Sequence, residues 1–141
     1  YFELEKEYLK RLSAFTKMKT VELSEQAYRK NNDLDAVRQK EAEDIQKHIP
    51  KDSMVILLDE DGTLRNSTDF AKNLERLTSL GQELVFVIGS GIGLHQSLKQ
   101  VSNYSFSLSK LTFPHNMARI LLLEQIYRAC MINSGKEYHK E

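Results

Sequence analysis

The stretch SFSLSKLTFPH, residues 105–115, leads directly into the longest apolar helix that the sequence predicts. Alternating apolar and polar residues indicate a strand that ends near Leu108. Pro114 suits the first turn of a helix, because the N–H that it lacks has no partner there. The backbone between strand and helix must therefore turn sharply. The helix, from Asn116 to Ser134, is apolar on more than one face, so it needs packing partners on several sides.

Two further apolar runs predict buried strands, at Ser53–Leu58 and Glu83–Ile88. Apolar residues at consecutive positions are typical of parallel strands that are covered on both faces. Between these strands, Ser67 or Thr68 can cap a helix that runs to Leu80 and ends at Gly81. A strand, a helix and a strand in this order imply a right-handed crossover. The sequence therefore predicts an α/β fold around a parallel sheet.

The remaining elements follow from spacing and composition. Apolar residues at helical spacing predict an amphipathic helix over Tyr1–Phe15, and alternation predicts a short strand over Lys17–Leu23. The polar segment Ser24–Asn32 predicts a mobile loop. Asp33 then begins a helix that reaches about Ile49, and residues 95–102 form a short helix before the last strand.

Composition limits the class of protein. The chain has 141 residues, suits one domain, and contains no apolar run long enough to span a bilayer. Cys130 is the only cysteine, so no intrachain disulfide can form, and its place on the apolar helix favours a buried thiol in a reducing cytoplasm. The formal charge of zero argues against binding nucleic acid by electrostatics alone.

The charge is unevenly distributed along the chain. Residues 1–70 hold 12 basic and 15 acidic side chains, whereas residues 71–141 hold 8 and 5. A homodimer that pairs the two C-terminal halves would concentrate positive charge. Charge alone is equally compatible with a chance asymmetry.

The run DEDGTL, residues 59–64, directly follows the first buried strand. It matches the nucleophile motif of haloacid-dehalogenase-like phosphatases, in which the first carboxylate (here Asp59) attacks phosphorus and the second (Asp61) acts as acid and base beside magnesium. That chemistry needs further carboxylates to hold the metal, yet no Asp follows Asp69. The alternative is a turn, since Asp and Gly are favoured turn residues.

The loop GSGIG, residues 89–93, follows the second buried strand and lets backbone N–H groups approach a ligand. It does not fit the dinucleotide fingerprint, which would need a third glycine at Leu94, and it lacks the Lys-Ser/Thr pair of a phosphate loop. Ligands of parallel sheets bind beyond the carboxyl ends of the strands. The loops after Leu58, Ile88 and Leu108 are therefore the candidates for a binding site.

Four segments together carry a resemblance to a known family: LTFPH at 111–115, EQIYRA at 124–129, the glycine loop after VFVI at 85–88, and YHK at 138–140. Over nearly its whole length the chain resembles the small SPOUT-class methyltransferases that methylate a pseudouridine of bacterial large-subunit ribosomal RNA. The resemblance implies a single SPOUT domain over residues 1–141, with a three-layer parallel-sheet fold and a C-terminal deep trefoil knot. Family members begin with one further strand, which we expect this sequence to lack.

The resemblance also implies a function. We expect methyl transfer from S-adenosylmethionine to N3 of a pseudouridine in the helix-69 loop of 23S ribosomal RNA, on assembled ribosomes, by a cytoplasmic homodimer that uses no metal and no membrane. The residues that the resemblance assigns to the donor are Leu58, Gly89, Leu108, Ser109, Lys110, Leu111, Thr112 and Phe113. It assigns Tyr138 and His139 to catalysis, and we add Lys140 and Arg119 as further catalytic candidates. The family usually has a glycine where this chain has Ser90.

The expected acceptor is a weakly acidic ring nitrogen, which must lose a proton to attack well. Our hypothesis is that His139, or a water that it orders, takes this proton, while Lys140 and Arg119 offset the developing negative charge. Arg119 and Arg128 lie on an otherwise apolar helix and could contact RNA phosphate or a second subunit. The alternative is an ion pair with Glu124, which helical geometry allows only for Arg128. A non-catalytic ribosome-associated module is the other class that stays open.

Overall fold

The structure is a computed structural model that describes residues 1–24 and 33–140. The mobile loop expected at Ser24–Asn32 falls, from residue 25 onward, outside the described residues. In chain order the helices and strands are α1 (Phe2–Leu12), α2 (Leu34–Gln46), β1 (Met54–Leu64), α3 (Ser67–Thr78), β2 (Leu84–Ile88), α4 (Gln96–Val101), β3 (Tyr104–Ser107) and α5 (His115–Asn133).

The strands of the described chain form one parallel sheet in the order β2-β1-β3. The α/β fold with a parallel sheet is thereby confirmed. In the register, Leu58 of β1 lies opposite Ile88 of β2 on one side and Phe106 of β3 on the other. The loops that follow Ile88 and Ser107 therefore leave the sheet at the same edge, level with Leu58.

Successive side chains of β1 point to opposite faces of the sheet, and both faces are buried. Met54 and Ile56 pack under α1, α3 and α5, whereas Val55 and Leu57 pack under α2 and α4. All four side chains are at most 7% exposed. Helices thus cover the sheet on both sides, which gives the three layers that the resemblance implies.

The first strand is longer than expected. The apolar run predicts an end at Leu58, but β1 continues to Leu64 after an irregularity in which both Leu58 and Thr63 lie opposite Phe106. Within it the Asp61 N–H donates to Oδ1 of Asp59 at 3.1 Å, so the expected turn is present, as an interruption of the strand. A Cβ on Gly62 would lie 2.8 Å from the backbone of Phe106, so only glycine fits this close approach.

Two local predictions are wrong. Helix α3 is capped by Asn66, whose side chain accepts the Asp69 N–H at 2.8 Å, not by Ser67 or Thr68. Residues 17–23 form no strand. Alternation alone does not create a strand, because a strand also needs a neighbour to pair with, and Val21 is 48% exposed.

The end of α5 redirects the chain. Gly135 has a φ of +70°, its N–H donates to the Ile132 carbonyl at 3.1 Å, and the Lys136 N–H donates to the Met131 carbonyl at 3.0 Å. These two bonds form a Schellman motif, for which glycine is the preferred residue. The C-terminal tail, residues 136–140, therefore turns back along α5.

Candidate active site

A cavity of about 730 Å³ lies between the start of α3, the loop that follows β3, and α5. Phe70 and Phe106, stacked with ring centroids 4.9 Å apart, contribute to its wall. The cavity is lined by Arg65, Asn66, Ser67, Thr68, Phe70, Phe106, Leu108, Phe113, Leu121, Gln125 and His139. It therefore brings the loop after β3 together with the C-terminal tail.

The loop from Leu108 to Phe113 is shaped by its own serines. Ser107 donates through Oγ to the carbonyl of Ser109 at 2.9 Å, and Oγ of Ser109 accepts the Leu111 N–H at 3.0 Å. These short-range bonds hold the sharp turn that the sequence predicts. Leu108 and Phe113 face the cavity, whereas Lys110, Leu111 and Thr112 are exposed.

The glycine loop is fastened to α2. Oγ of Ser90 donates to Glu41 at 2.9 Å, and Nε of Arg38 donates to the Ile92 carbonyl at 2.6 Å. A Cβ on Gly89 would lie 2.5 Å from Cδ2 of Leu94, so this position favours glycine for space. Ser90 thus has a structural contact of its own.

Not every expected donor residue lines the cavity. Leu58 and Gly89 belong to the same edge of the sheet as Leu108, because Leu58 lies opposite both Ile88 and Phe106. Neither Leu58 nor Gly89 is among the lining residues. The structure therefore brings Leu58, the glycine loop and the loop after β3 to one sheet edge, and it places part of the loop after β3 against the cavity.

Tyr138 docks the tail on α5. Its ring meets that of Tyr127 edge-on, with centroids 4.9 Å apart, and its hydroxyl donates to Oε1 of Glu124 at 3.2 Å. Burial, followed by the negative charge of Glu124, raises the pKa of Tyr138 to about 12. Tyr138 is therefore a neutral phenol at physiological pH and serves here as a hydrogen-bond donor.

Arg128 connects Glu124 to His139. Its Nε donates to Oε1 of Glu124 at 3.0 Å, its Nη2 contacts the same oxygen, and its Nη1 lies 3.1 Å from Nδ1 of His139. The Glu124 carboxylate raises the pKa of Arg128 further above its ordinary value. The ion pair that helical spacing allows for Arg128 and Glu124 is confirmed.

Arg119 lies elsewhere. Its Nη2 pairs with Glu5 of α1 at 3.0 Å and its Nη1 lies 3.6 Å from Glu22, while its Nε has no hydrogen-bond partner among the described residues. Arg119 and Arg128 are nine positions apart on α5, which is about 13 Å along the helix axis. The structure therefore does not bring Arg119 to His139. Lys140 is exposed at the end of the described tail.

Two polar residues that sequence reasoning missed extend this network to the cavity wall. Oγ of Ser67 donates to Gln125 at 2.7 Å, and the Gln125 amide donates to Oε2 of Glu124 at 2.8 Å. Ser67 and Gln125 are 58 positions apart, so nothing local links them. The available signal was the polar pair Glu124-Gln125 inside an apolar helix, because polar groups on a packed helix need partners.

The turn at residues 59–62 does not resemble a magnesium site. Asp59 pairs with Lys99, with Nζ and Oδ2 3.4 Å apart, and its other oxygen accepts the Asp61 N–H. Within residues 1–24 and 33–140, no group of three or more His, Cys, Asp or Glu side chains could hold a metal ion. The phosphatase alternative gains no support from this geometry.

A parallel sheet covered by helices on both faces defines an α/β protein, and in such folds ligands bind beyond the carboxyl ends of the strands. The chain belongs to the SPOUT methyltransferase family: the family model described as "Predicted SPOUT methyltransferase" matches residues 1–139. The motif DEDGTL is therefore part of a methyltransferase fold.

Two relatives illustrate the similarity. The chain is 45% identical to "Ribosomal RNA large subunit methyltransferase H" of Caldicellulosiruptor saccharolyticus over 141 residues, which cover 99% of this chain and 92% of the relative. It is 43% identical to the protein of the same name in Bacillus thuringiensis over 138 residues, 95% of this chain and 87% of the relative. In the described ranges, no helix has the length and apolar character needed to cross a membrane.

Proposed function

We propose that this protein transfers the methyl group of S-adenosylmethionine to a nitrogen of ribosomal RNA. The observation that carries the proposal is the cavity in which Leu108 and Phe113, from the expected donor loop, meet His139 from the C-terminal tail. The names of the similar proteins supply the substrate class. A single methyltransferase domain over residues 1–141 and a cytoplasmic location are part of the proposal.

The proposed acceptor is N3 of a pseudouridine in the helix-69 loop of 23S ribosomal RNA within assembled ribosomes. In the reaction the bond between sulfur and the methyl carbon breaks, the bond between that carbon and N3 forms, and S-adenosylhomocysteine leaves. The proton of N3 passes to solvent. The protein aligns two ligands for in-line transfer, and such positioning can supply much of the acceleration.

We assign the donor to Leu58, Gly89 and the loop 108–113, at the carboxyl edge of the sheet. Backbone groups of these loops would hold the polar parts of the donor, and apolar side chains would flank its adenine. Tyr138, His139 and Lys140 would face the acceptor. Arg119 stays outside this group in a single chain, because its guanidinium pairs with Glu5.

We also propose a homodimer. Leu111, Met117 and Leu121 are exposed apolar residues; Met117 and Leu121 are neighbours one turn apart on α5, and Leu121 lines the cavity as well. Apolar side chains exposed together commonly mark a protein interface. A second copy on this face would cover them and bring positive charge from both C-terminal halves towards one RNA.

The test is methyl transfer from radiolabelled S-adenosylmethionine to ribosomes whose helix-69 pseudouridines are unmethylated, with free 23S RNA as a parallel acceptor. We expect label in the RNA of assembled ribosomes and loss of label in Lys140→Ala. Lys136→Ala is the matched control, because Lys136 belongs to the same tail but lies over the Phe15 ring. A folded protein that labels neither acceptor would refute the proposal and favour a non-catalytic ribosome-associated module.

A further inference from the structure

The contact between Arg128 and His139 fixes which ring nitrogen carries the proton. Nη1 of Arg128 lies 3.1 Å from Nδ1 of His139. A guanidinium has five N–H donors and no acceptor, so Arg128 can only donate in this hydrogen bond. Nδ1 must therefore be the acceptor, and a neutral His139 must carry its proton on Nε2.

Three contacts hold the guanidinium in place for this role. Nε and Nη2 of Arg128 both contact Glu124, and the ring of Tyr138 lies 4.8 Å from its central carbon. Glu124 is in turn fixed by the amide of Gln125 at 2.8 Å. The side chains of Arg128 and Glu124 are only 25% and 15% exposed, so solvent competes little for these bonds. Fixed charged partners of this kind give directional hydrogen bonds.

We propose that His139 serves the methyl transfer as a hydrogen-bond donor through Nε2–H, and that Arg128, oriented by Glu124, is the positioning residue that selects this tautomer. The inference rests on the proposed function for the identity of the acceptor. It replaces the hypothesis that His139 is the general base, because a neutral ring with Nδ1 bonded to Arg128 and Nε2 protonated has no free lone pair.

The chemistry of the methyl acceptor suits a hydrogen-bond donor at this position. When the ring nitrogen between two carbonyl groups loses its proton, its negative charge is shared with both carbonyl oxygens. A preorganised N–H group beside one of these oxygens stabilises the anion that attacks the methyl carbon. His139 lines the cavity and can supply that N–H group without itself gaining or losing a proton.

The tautomer can be observed without substrate. In protein labelled with ¹⁵N-histidine, long-range proton–nitrogen spectra distinguish a protonated from an unprotonated ring nitrogen, and His139→Gln identifies the His139 signals among the four histidines. We expect unprotonated Nδ1 and protonated Nε2 at neutral pH. We expect Arg128→Met to abolish this preference and Arg11→Met to preserve it, since Arg11 forms an equivalent i,i+4 pair with Glu7 at 2.9 Å. A wild-type His139 protonated on Nδ1 would overturn the proposal, whether or not the variants fold.

A second experiment distinguishes a hydrogen-bond-donor role of His139 from a general-base role. Gln can place an N–H group near the position of Nε2 but cannot accept a proton, whereas Ala can do neither. At saturating S-adenosylmethionine and ribosomes we expect His139→Ala to lower turnover about 100-fold or more. Removal of one hydrogen-bond donor that stabilises a developing anion has an effect of this size in other enzymes. We expect the turnover of His139→Gln to be at least roughly tenfold higher than that of His139→Ala. A hydrogen-bond-donor role allows this recovery, whereas a general-base role does not. Equal loss in both variants would overturn the donor role. Absence of methyl transfer by the wild type would refute the proposed function, and the nuclear magnetic resonance result would still decide the tautomer.

Discussion

The hydroxyl of Tyr138 donates to Glu124 at 3.2 Å, although the two residues are 14 positions apart in the sequence. The link is possible because the Schellman motif at Gly135 turns the tail back along α5. The same oxygen of Glu124 accepts a hydrogen bond from Arg128, and Arg128 in turn contacts His139. One carboxylate on α5 therefore organises Tyr138 and His139, two of the three tail residues that we assign to the acceptor.

The pKa of Tyr138, about 12, predicts a late step in an alkaline titration. Burial favours the neutral phenol of Tyr138. Its contribution to the stability of the folded protein is therefore complete at pH values below the ordinary pKa of 10.0, and it is lost as the pH rises through about 12. Stopped-flow absorbance of ionising tyrosine should show that Tyr138→Phe removes this late step. A late step of undiminished amplitude in Tyr138→Phe would contradict the docking of the tail.

Changing Glu124 to Gln should lower the pKa of Tyr138 relative to wild type. The variant removes the negative charge that disfavours the phenolate, while burial, the larger cause, keeps the pKa above 10.0. The same titration measures the effect, and Glu7→Gln on α1 serves as a control because Glu7 pairs with Arg11. An unchanged Tyr138 titration in Glu124→Gln would show that the two side chains are not in contact.

Gly62→Ala should destabilise the protein by about 1–3 kcal/mol, the usual cost of overpacking a close contact. The added Cβ would lie 2.8 Å from backbone atoms of Ser105 and Phe106, which cannot yield as a flexible side chain can. Gly91→Ala is the matched control, since nothing lies within 4 Å of its added Cβ. Urea denaturation of both variants measures the free energy of unfolding, and equal values would refute the close approach of β1 and β3.

Cys130 should react slowly with thiol reagents in the native protein. Burial raises the pKa of its thiol above the ordinary value, so less of the reactive thiolate is present at neutral pH. Labelling rates in buffer and in denaturant compare the folded and unfolded chains, and we expect the native rate to be clearly the lower. Equal rates would mean that the thiol is accessible in the folded protein.

The sequence predicts the parallel sheet and its covering helices well, because burial on both faces leaves consecutive apolar residues such as Met54–Leu58. It misses the continuation of β1 to Leu64, which depends on the close approach of Gly62 to Phe106 and has no local signal. The network from Ser67 to Glu124 is likewise created by packing α3 on α5. The trefoil knot, the assignment of the donor and the homodimer stay predictions of the resemblance.

Calorimetric titration of the folded protein with S-adenosylmethionine tests directly whether this protein binds the methyl donor. We expect saturable binding that is weakened in Gly89→Ala, whose added Cβ must displace Leu94, and preserved in Gly91→Ala, whose added Cβ meets nothing within 4 Å. Circular dichroism of each variant confirms that it is folded. Absence of saturable binding by the folded wild-type protein would contradict a donor site at the carboxyl edge of the sheet.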